Sequence, residues 1–159
     1  MKVLVVAVGQ KMPAWAQEAC DDYLKRFPAD WRVEVKTVKT ENRSSGKTPQ
    51  SLMGAEAQRI EQVIAAHTQY PYIIALDEHG VRQTSVKMAE SLQTIARQGQ
   101  EVVLVIGGPD GLSADFKGKA QASWRLSDLT LPHAMVRVIL AEQLYRSWSI
   151  LANHPYHRE

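Results

Sequence analysis

The sequence contains a single cysteine, Cys20, and no apolar run of membrane-spanning length. A disulfide needs two cysteines, so an internal disulfide framework is excluded. The apolar run at 3–8 has six residues, whereas a membrane-spanning helix needs about 18 or more. The same run is too short for the apolar region of a secretory signal, and no small-residue cleavage site follows it. We therefore expect a cytoplasmic protein without a membrane contact.

A large excess of one charge is also missing. The 19 lysines and arginines are nearly balanced by 17 aspartates and glutamates, and the formal net charge is +2. Dedicated nucleic-acid-binding domains are usually more basic, so composition neither indicates nor excludes an RNA partner. Local attraction to phosphate would have to come from clusters such as Lys39, Arg43 and Lys47. The polar stretch that contains these three residues is equally typical of a solvated loop.

Common motifs for nucleotide, nucleophile and metal chemistry are lacking as well. The glycine-rich segment 107–111 is not GxGxxG and lacks the GK[ST] of a phosphate-binding loop, and neither GxSxG nor CxxC occurs. His133, His154 and His157 have no cysteine or carboxylate at a recognised metal-ligand spacing, so we expect no metal. A nucleotide-binding regulatory module and a histidine-based hydrolase stay open as alternatives.

Strand and helix patterns alternate along the whole chain. The strands are predicted near 3–8, 32–38, 72–77, 102–107 and 124–129, and the helices near 13–26, 50–67, 84–98, 113–121 and 133–152. Unbroken apolar runs at 3–8 and 102–106 indicate strands that are covered on both faces. Residues 32–38 alternate between polar and apolar, which is typical of a half-exposed strand near an edge. The sequence therefore predicts one α/β domain over 1–159, with a mostly parallel sheet flanked by helices.

Ligands of parallel α/β sheets bind beyond the carboxyl ends of the strands, so those ends hold the candidate sites. Gly107, Gly108 and Gly111 follow one strand and would let the backbone approach a ligand closely. The same segment could be a tight turn into a helix capped by Ser113. The next loop, 127–133, has apolar and hydroxyl residues that could hold an adenine ring by backbone hydrogen bonds and apolar contact.

The last predicted helix places a charge on its apolar side. At 100° per residue one stripe collects Leu140, Ala141, Leu144, Trp148 and Leu151. Arg137 falls within this stripe, although an unpaired buried charge is costly. Three interpretations are open: a second subunit supplies acceptors, the first turn opens into an anionic site, or Arg137 reaches solvent from the helix end.

Several segments resemble the small SPOUT-class methyltransferases that modify N3 of a pseudouridine in 23S ribosomal RNA. They are VAVGQKMP at 6–13, YLKRFP at 23–28, LDEHG at 76–80, IGGPDGLS at 106–113, LTLPHAMVRVILAEQLYRSWSI at 129–150 and NHPYHRE at 153–159. The resemblance extends over nearly the whole chain, and the last three segments together are the most specific. Glu78 and His79 differ from the residues that many members carry after Leu-Asp, and the stretch 39–70 matches weakly.

The resemblance implies a fold, a methyl donor and a substrate. The fold is an α/β domain with a C-terminal trefoil knot, and the last helix forms the interface of a homodimer. The donor is S-adenosylmethionine, and its contacts map onto Leu76, Gly107, Gly108, Ser127, Asp128, Leu129, Thr130, Leu131 and Pro132. The substrate is ribosomal RNA, within the large ribosomal subunit or the whole ribosome, and not DNA.

The resemblance also implies which residues lie near the target base. They are His133, Arg137, His154, Tyr156, His157 and Arg158. We expect His154 or His157 to remove the N3 proton or to orient the group that does, because imidazole titrates near neutral pH. Arg137 and Arg158 would hold phosphate or a developing charge on the base.

Overall fold

A computed structural model of the protein describes residues 1–44 and 46–158. The strands in these ranges are β1 (Lys2–Val8), β2 (Arg32–Val38), β3 (Pro71–Arg82), β4 (Glu101–Ile106) and β5 (Ala122–Arg125). The helices are α1 (Ala14–Leu24), α2 (Pro49–His67), α3 (Ser85–Arg97), α4 (Ala114–Lys119) and α5 (His133–Leu151). A short 3-10 helix at Pro155–Arg158 follows, and we call it the tail helix. In the part of the chain so described, no helix is both long and apolar enough to cross a membrane.

The five strands form one parallel sheet in the order β2-β1-β4-β3-β5. Its central strands β1 and β4 are buried along nearly their whole length, which confirms the interpretation of their unbroken apolar runs. β2 lies at an edge, and its polar residues Arg32 and Glu34 are exposed while Val33 and Val35 are partly buried. The predicted α/β class, the parallel sheet and the edge position of β2 are therefore confirmed.

Helices cover both faces of the sheet. On one face, Leu92 of α3 and Leu140 and Leu144 of α5 pack with Leu104 of β4. On the other face, Ile60 of α2 packs with residues of β1 and β4. Each such fully buried side chain contributes about 1.5–3 kcal/mol relative to exposure, so both layers are needed to hold the sheet. α5 packs against α1 and α3, and its first residue, His133, lies beside the strand-end residues Val8, Leu76 and Ile106.

Two helices begin at capping threonines. Thr48 precedes α2, its hydroxyl accepts a hydrogen bond from the backbone N–H of Ser51, and Pro49 occupies the first turn. Thr84 caps α3 in the same way. These side chains satisfy backbone donors that have no partner within the helix. The predicted bounds of both helices are therefore close to those observed.

The predicted strand at 124–129 is wrong over most of its length. β5 ends at Arg125, whereas β3 continues to Arg82, beyond its predicted end at residue 77. The pairing of β3 with β5 shifts register near Gly80, where a Cβ atom would lie 2.7 Å from the carbonyl carbon of Trp124. Glycine permits this close approach, and β3 extends past the bulge. The apolar residues after β5 consequently belong to a loop.

Candidate functional site

A cavity of about 720 Å³ opens at the carboxyl end of the sheet. Its walls come from the segments 76–79, 106–112, 124–127 and 129–131. Gly9 and His133 also line it. The volume is within the range of pockets that bind cofactors, about 300–1,000 Å³. The loops of the parallel strands converge here, which is where the sequence predicts a ligand site.

The glycine-rich loop forms one wall of this cavity. A Cβ atom on Gly107 would lie 2.6 Å from the carbonyl carbon of Gly111, so only glycine fits there. Gly111 has φ +79°, in the left-handed region, and its N–H donates to the carbonyl of Gly108 at 3.0 Å. The hydroxyl of Ser113 then caps α4 by accepting from Phe116 N at 3.1 Å. The loop is thus both a tight capped turn and a wall that presents backbone to the cavity.

The loop after β5 forms the opposite wall. Ser127, Leu129, Thr130 and Leu131 all line the cavity. The hydroxyl of Ser127 accepts a hydrogen bond from Leu129 N at 2.9 Å, which holds the turn of the loop. Leu129 is 76% exposed, an unusual position for a large apolar side chain. Together these residues provide apolar surface and backbone groups, as adenine recognition requires.

Asp128 and Pro132 support the same loop without lining the cavity. The carboxylate of Asp128 accepts a hydrogen bond from Arg82 Nε at 3.0 Å and lies 3.3 Å from Arg125 Nη1. Pro132 immediately precedes α5, where the absence of a backbone N–H has no cost. Of the donor-contact residues that the resemblance implies, the structure brings the other seven to the cavity: Leu76, Gly107, Gly108, Ser127, Leu129, Thr130 and Leu131.

His133, the first residue of α5, lines the cavity. Its Nε2 atom is shielded from solvent and has no hydrogen-bond partner among the described residues. Burial lowers the pKa of His133, and the positive charge of Arg137 lowers it further. Neighbouring backbone groups of Gly107 and Val8 raise this pKa, but burial outweighs them. His133 is therefore a neutral imidazole near pH 7.

The depressed pKa of His133 predicts a pH dependence of stability. The unfolded chain binds a proton on this residue below about pH 6.5, while the folded protein resists protonation until its lower pKa. Stability is therefore fully present above the unfolded pKa and is lost as pH falls through the folded pKa. We expect the melting temperature of His133→Gln to fall less than that of the wild type on acidification from neutral pH. Equal falls in thermal melts of both proteins would contradict this assignment.

Arg137 lies one turn further along α5 and is only 7% exposed. Its Nη1 atom donates to the carbonyl of Gly9 at 3.0 Å. The guanidinium also lines a second cavity of about 320 Å³ between α1 and α5, next to Cys20. The interpretation that Arg137 reaches solvent is therefore wrong, because α1 and the loop after β1 cover it. A second subunit and an anionic group stay open as sources of further acceptors.

The tail helix folds back onto the carboxyl half of α5. The hydroxyl of Tyr156 donates to Glu142 Oε1 at 2.9 Å, and Glu142 also accepts from Arg146. The ring of Tyr156 packs edge-on against Tyr145, with centroids 4.7 Å apart. Burial raises the pKa of Tyr156, so the phenol stays a protonated donor at neutral pH. The tail is therefore an ordered surface and not a frayed end.

The two tail histidines are held by backbone and hydroxyl groups. His154 Nδ1 accepts from Tyr156 N at 3.2 Å, and its ring packs against Trp148. His157 Nδ1 lies 2.8 Å from the hydroxyl of Ser149. The hydroxyl of Ser149 also accepts from the backbone N–H of His157, which fixes the turn. Both imidazoles are oriented by neighbours, as a proton-transferring group requires.

Within a single chain, the tail helix lies far from the cavity. His133 begins α5, whereas the tail helix follows its end, and the helix has 19 residues. At about 1.5 Å per residue the two ends lie about 27 Å apart. The predicted base-side residues are consequently separated into His133 at the cavity, Arg137 one turn later on α5, and a tail group of His154, Tyr156, His157 and Arg158.

Sequence reasoning missed several cavity residues that other elements contribute. Thr40, Lys117 and Arg125 line the cavity although no motif marks them. Lys117 of α4 pairs with Asp77 at 3.2 Å across the cavity wall. Asp77 is the last residue of the predicted strand 72–77, so its place at a strand end already marked it as a candidate. Within the described ranges, no three His, Cys, Asp or Glu side chains converge as metal ligands.

Comparisons with known proteins point to one family. The family described as "Predicted SPOUT methyltransferase" matches residues 1–157. The chain is 57% identical to the ribosomal RNA large subunit methyltransferase H of Methylibium petroleiphilum, over 100% of both chains. It is 58% identical to the protein of the same name from Polaromonas naphthalenivorans, again over 100% of both.

Two solved structures share the fold at low sequence identity. A methylase family protein from Neisseria gonorrhoeae is 14% identical with a TM-score of 0.56, covering 91% of this chain and 81% of that one. A methylase family protein from Haemophilus influenzae is 13% identical with a TM-score of 0.56, covering 96% of this chain and 69% of that one. At these identities the likeness concerns the arrangement of strands and helices alone.

Proposed function

The chain belongs to the SPOUT methyltransferase family, and from this premise we propose that it methylates N3 of a pseudouridine in 23S ribosomal RNA. The methyl donor in this proposal is S-adenosylmethionine. Full-length relatives at 57% and 58% identity carry the name of a large-subunit ribosomal RNA methyltransferase. The observation that carries the proposal is the cavity of about 720 Å³ between the glycine-rich loop and the loop after β5.

The cavity fits the chemistry of this donor. Gly107 and Gly108 line the cavity, so their backbone groups are available to a ligand. Leu76 and Leu131 provide apolar surface for an adenine ring. Charged side chains of both signs, among them Asp77, line the same space and suit a ligand with ammonium, carboxylate and sulfonium groups. The seven cavity residues that the resemblance implies therefore suit S-adenosylmethionine as a ligand.

A homodimer is the second part of the proposal. α5 carries partly buried apolar side chains such as Met135, Val138 and Ile139 outside its buried stripe. Apolar residues therefore lie on more than one side of the amino-terminal half of α5, and such a surface is normally buried, so a second copy of α5 is a suitable cover. Pairing two copies would bring the tail of one chain to the cavity of the other. The C-terminal trefoil knot stays a prediction from the resemblance.

The mechanism divides between the two groups of residues. When bound, S-adenosylmethionine supplies a methyl group that its positive sulfur has already activated. The chain must align N3 with this methyl group and remove the N3 proton. We assign proton removal to His154 or His157 of the tail, whose rings are oriented by hydrogen bonds. Arg158 at the end of the tail helix would hold phosphate or charge developing on the base.

His133 and Arg137 act from the first turns of α5 in this scheme: His133 lines the cavity, whereas Arg137 lies outside its lining and donates to the carbonyl of Gly9. The neutral His133 offers a ring nitrogen that has no other partner among the described residues. Arg137 lowers the pKa of His133 through its charge and thereby helps to keep that imidazole neutral. A neutral His133 imidazole in the cavity lining avoids repulsion of the positive sulfonium of the methyl donor. These two residues therefore prepare the site, while the tail performs the proton transfer.

The physiological substrate in this proposal is an assembled large subunit or whole ribosome in the cytoplasm. A net charge of +2 is too small for tight electrostatic binding of naked RNA. Recognition would then depend on shape, which a folded ribosome supplies and protein-free RNA lacks. Neither DNA nor a membrane takes part.

Labelled methyl transfer tests this function. We expect the protein to transfer one methyl group from S-adenosylmethionine to ribosomes that lack the modification, and to transfer far less to protein-free 23S RNA. Mass spectrometry of RNA digests should place the methyl group on a pseudouridine. Label on ribosomal protein, or no label on any ribosomal substrate while the protein is folded, would overturn the proposal.

A further inference from the structure

Glu56 is a charged residue in an apolar layer. It lies on the sheet-facing side of α2 and is only 2% exposed. Buried carboxylates are rare unless they are paired, because removing a charge from water is costly. Both of its carboxylate oxygens accept hydrogen bonds from Arg43, and Oε2 also accepts from Glu41 N at 2.9 Å. The ion pair is thus bidentate, the geometry in which arginine binds carboxylates most strongly.

Arg43 extends this pair to the glycine-rich loop. Its Nε atom donates to Asp110 Oδ2 at 3.0 Å, so one guanidinium connects α2 to that loop. The Glu56 carboxylate itself lies directly behind the loop. A Cβ atom on Gly108 would be 3.2 Å from one carboxylate oxygen and 3.4 Å from the other. The cavity wall is therefore supported by a charged group on its far side.

The same network fastens a second cavity wall. Thr40 lines the cavity, and its neighbour Glu41 is held by the backbone bond to Glu56. Arg59 of α2 pairs with the Glu41 carboxylate and donates to the carbonyl of Lys39 at 2.8 Å. Two arginines thus hold the loop after β2 against α2. This arrangement also removes Arg43 from the cluster of candidate RNA contacts, because its donors are engaged within the protein.

We propose that Glu56 and Arg43 are positioning residues that set the shape of the methyl-donor cavity from behind. They do so by fixing the Thr40 wall and the Asp110 end of the glycine-rich loop to one helix. The proposal rests on the proposed function, since it takes S-adenosylmethionine as the ligand. We call the linked side chains of Arg43, Glu56 and Asp110 the brace. Weakening the brace should weaken donor binding and leave the chemical step intact at saturating donor.

The brace is tested by a double-mutant cycle on Arg43 and Asp110. Arg43 does not line the cavity, so Arg43→Gln acts on the donor only through its partners. We expect Arg43→Gln and Asp110→Asn each to raise the KM for S-adenosylmethionine, by about tenfold for Arg43→Gln, with kcat little changed. The effects should be less than additive in the double variant, because each removes the same link. Lys119→Gln breaks the exposed Lys119–Glu61 pair on the outside of α2 and is the matched control.

Loss of folding must be separated from loss of positioning. Arg43→Gln leaves the Glu56 carboxylate buried without its partner, which is destabilising. The paired variant Arg43→Met with Glu56→Gln removes both charges and should melt closer to the wild type. We expect it to keep the raised KM, because neutral side chains no longer hold Asp110. A wild-type KM in this folded variant would overturn the brace.

Binding of S-adenosylhomocysteine, measured by calorimetry, distinguishes failure of the brace from failure of the proposed function. If the wild type binds and Arg43→Gln binds equally well, the brace is overturned and the proposed function stands. If the folded wild type binds neither this product nor the donor, the proposed function is overturned, and the brace as a donor-positioning device falls with it. Weaker binding by Arg43→Gln than by Lys119→Gln supports the brace.

Discussion

Replacing Gly107 by alanine is expected to abolish binding of the methyl donor. The new Cβ atom would lie 2.6 Å from the carbonyl carbon of Gly111 and 2.9 Å from Leu112 N. These are backbone atoms, so the conflict cannot be relieved by rotating a side chain, and the loop that walls the cavity must move. Misplacing reacting groups by about 1 Å can cost about 100-fold in rate. Because this variant displaces the backbone that walls the cavity, we also expect binding of S-adenosylhomocysteine to fall below detection by calorimetry.

Gly118→Ala is the matched control for the loop variant. Gly118 lies within α4, and nothing is within 4 Å of the position its Cβ would take. Alanine is favoured over glycine inside a helix, so this variant should fold and bind as the wild type does. Wild-type donor affinity in Gly107→Ala would show that the glycine-rich loop does not shape the donor site. Weak binding by both variants would show that the loss is not specific to the loop.

Alanine at the tail histidines is expected to have the opposite effect. His154 and His157 lie about 27 Å along α5 from the cavity of their own chain. His154→Ala and His157→Ala should therefore leave donor affinity nearly intact. A general base contributes about 100-fold to 10,000-fold to rate, and the variant that removes it should lose methyl transfer to that extent. An equal loss of donor binding would contradict the division between tail and cavity.

Mixed dimers give a sharper test of the same division. A chain with Gly107→Ala keeps an intact tail, and a chain with His154→Ala keeps an intact cavity. If the tail acts on the partner's cavity, each mixed dimer has one complete site, and equal mixing restores about a quarter of the wild-type activity. If each tail served its own cavity, no mixed dimer would contain a complete site. Activity no higher than the sum of the two parents would therefore contradict the shared site.

Local patterns predicted the framework of the fold well. The unbroken apolar runs of β1 and β4 indicated burial on both faces, and the alternation in β2 indicated an edge. The predicted helices near 50–67 and 84–98 lie close to the observed α2 and α3. These features depend on residues that are close in sequence, because strand and helix periods and caps are local properties. The error at β5 arose because Leu126 and Leu129, which alternate loosely with polar residues as in a short strand, belong to a loop.

The interior charges could not be predicted in this way. Arg43 is close in sequence to Glu56, but its other partner Asp110 is 67 residues away. From composition, Arg43 is a loop cation available to phosphate, and only the packing of α2 behind Gly108 engages it within the protein. Arg137 is a related case. The sequence places it within the apolar stripe of the last helix, but nothing in the sequence indicates that the carbonyl of Gly9 is its acceptor. No period or spacing encodes such pairs.

The amino-acid sequence alone was therefore sufficient for the α/β class, the parallel sheet and the place of the cavity at its carboxyl end, and its motifs indicated the family. The three-dimensional arrangement decided which loop residues line that cavity, that Asp128 and Pro132 lie outside it, and that the tail lies at the far end of α5. The reason is physical: elements follow from neighbours along the chain, whereas a site follows from side chains that only folding brings together.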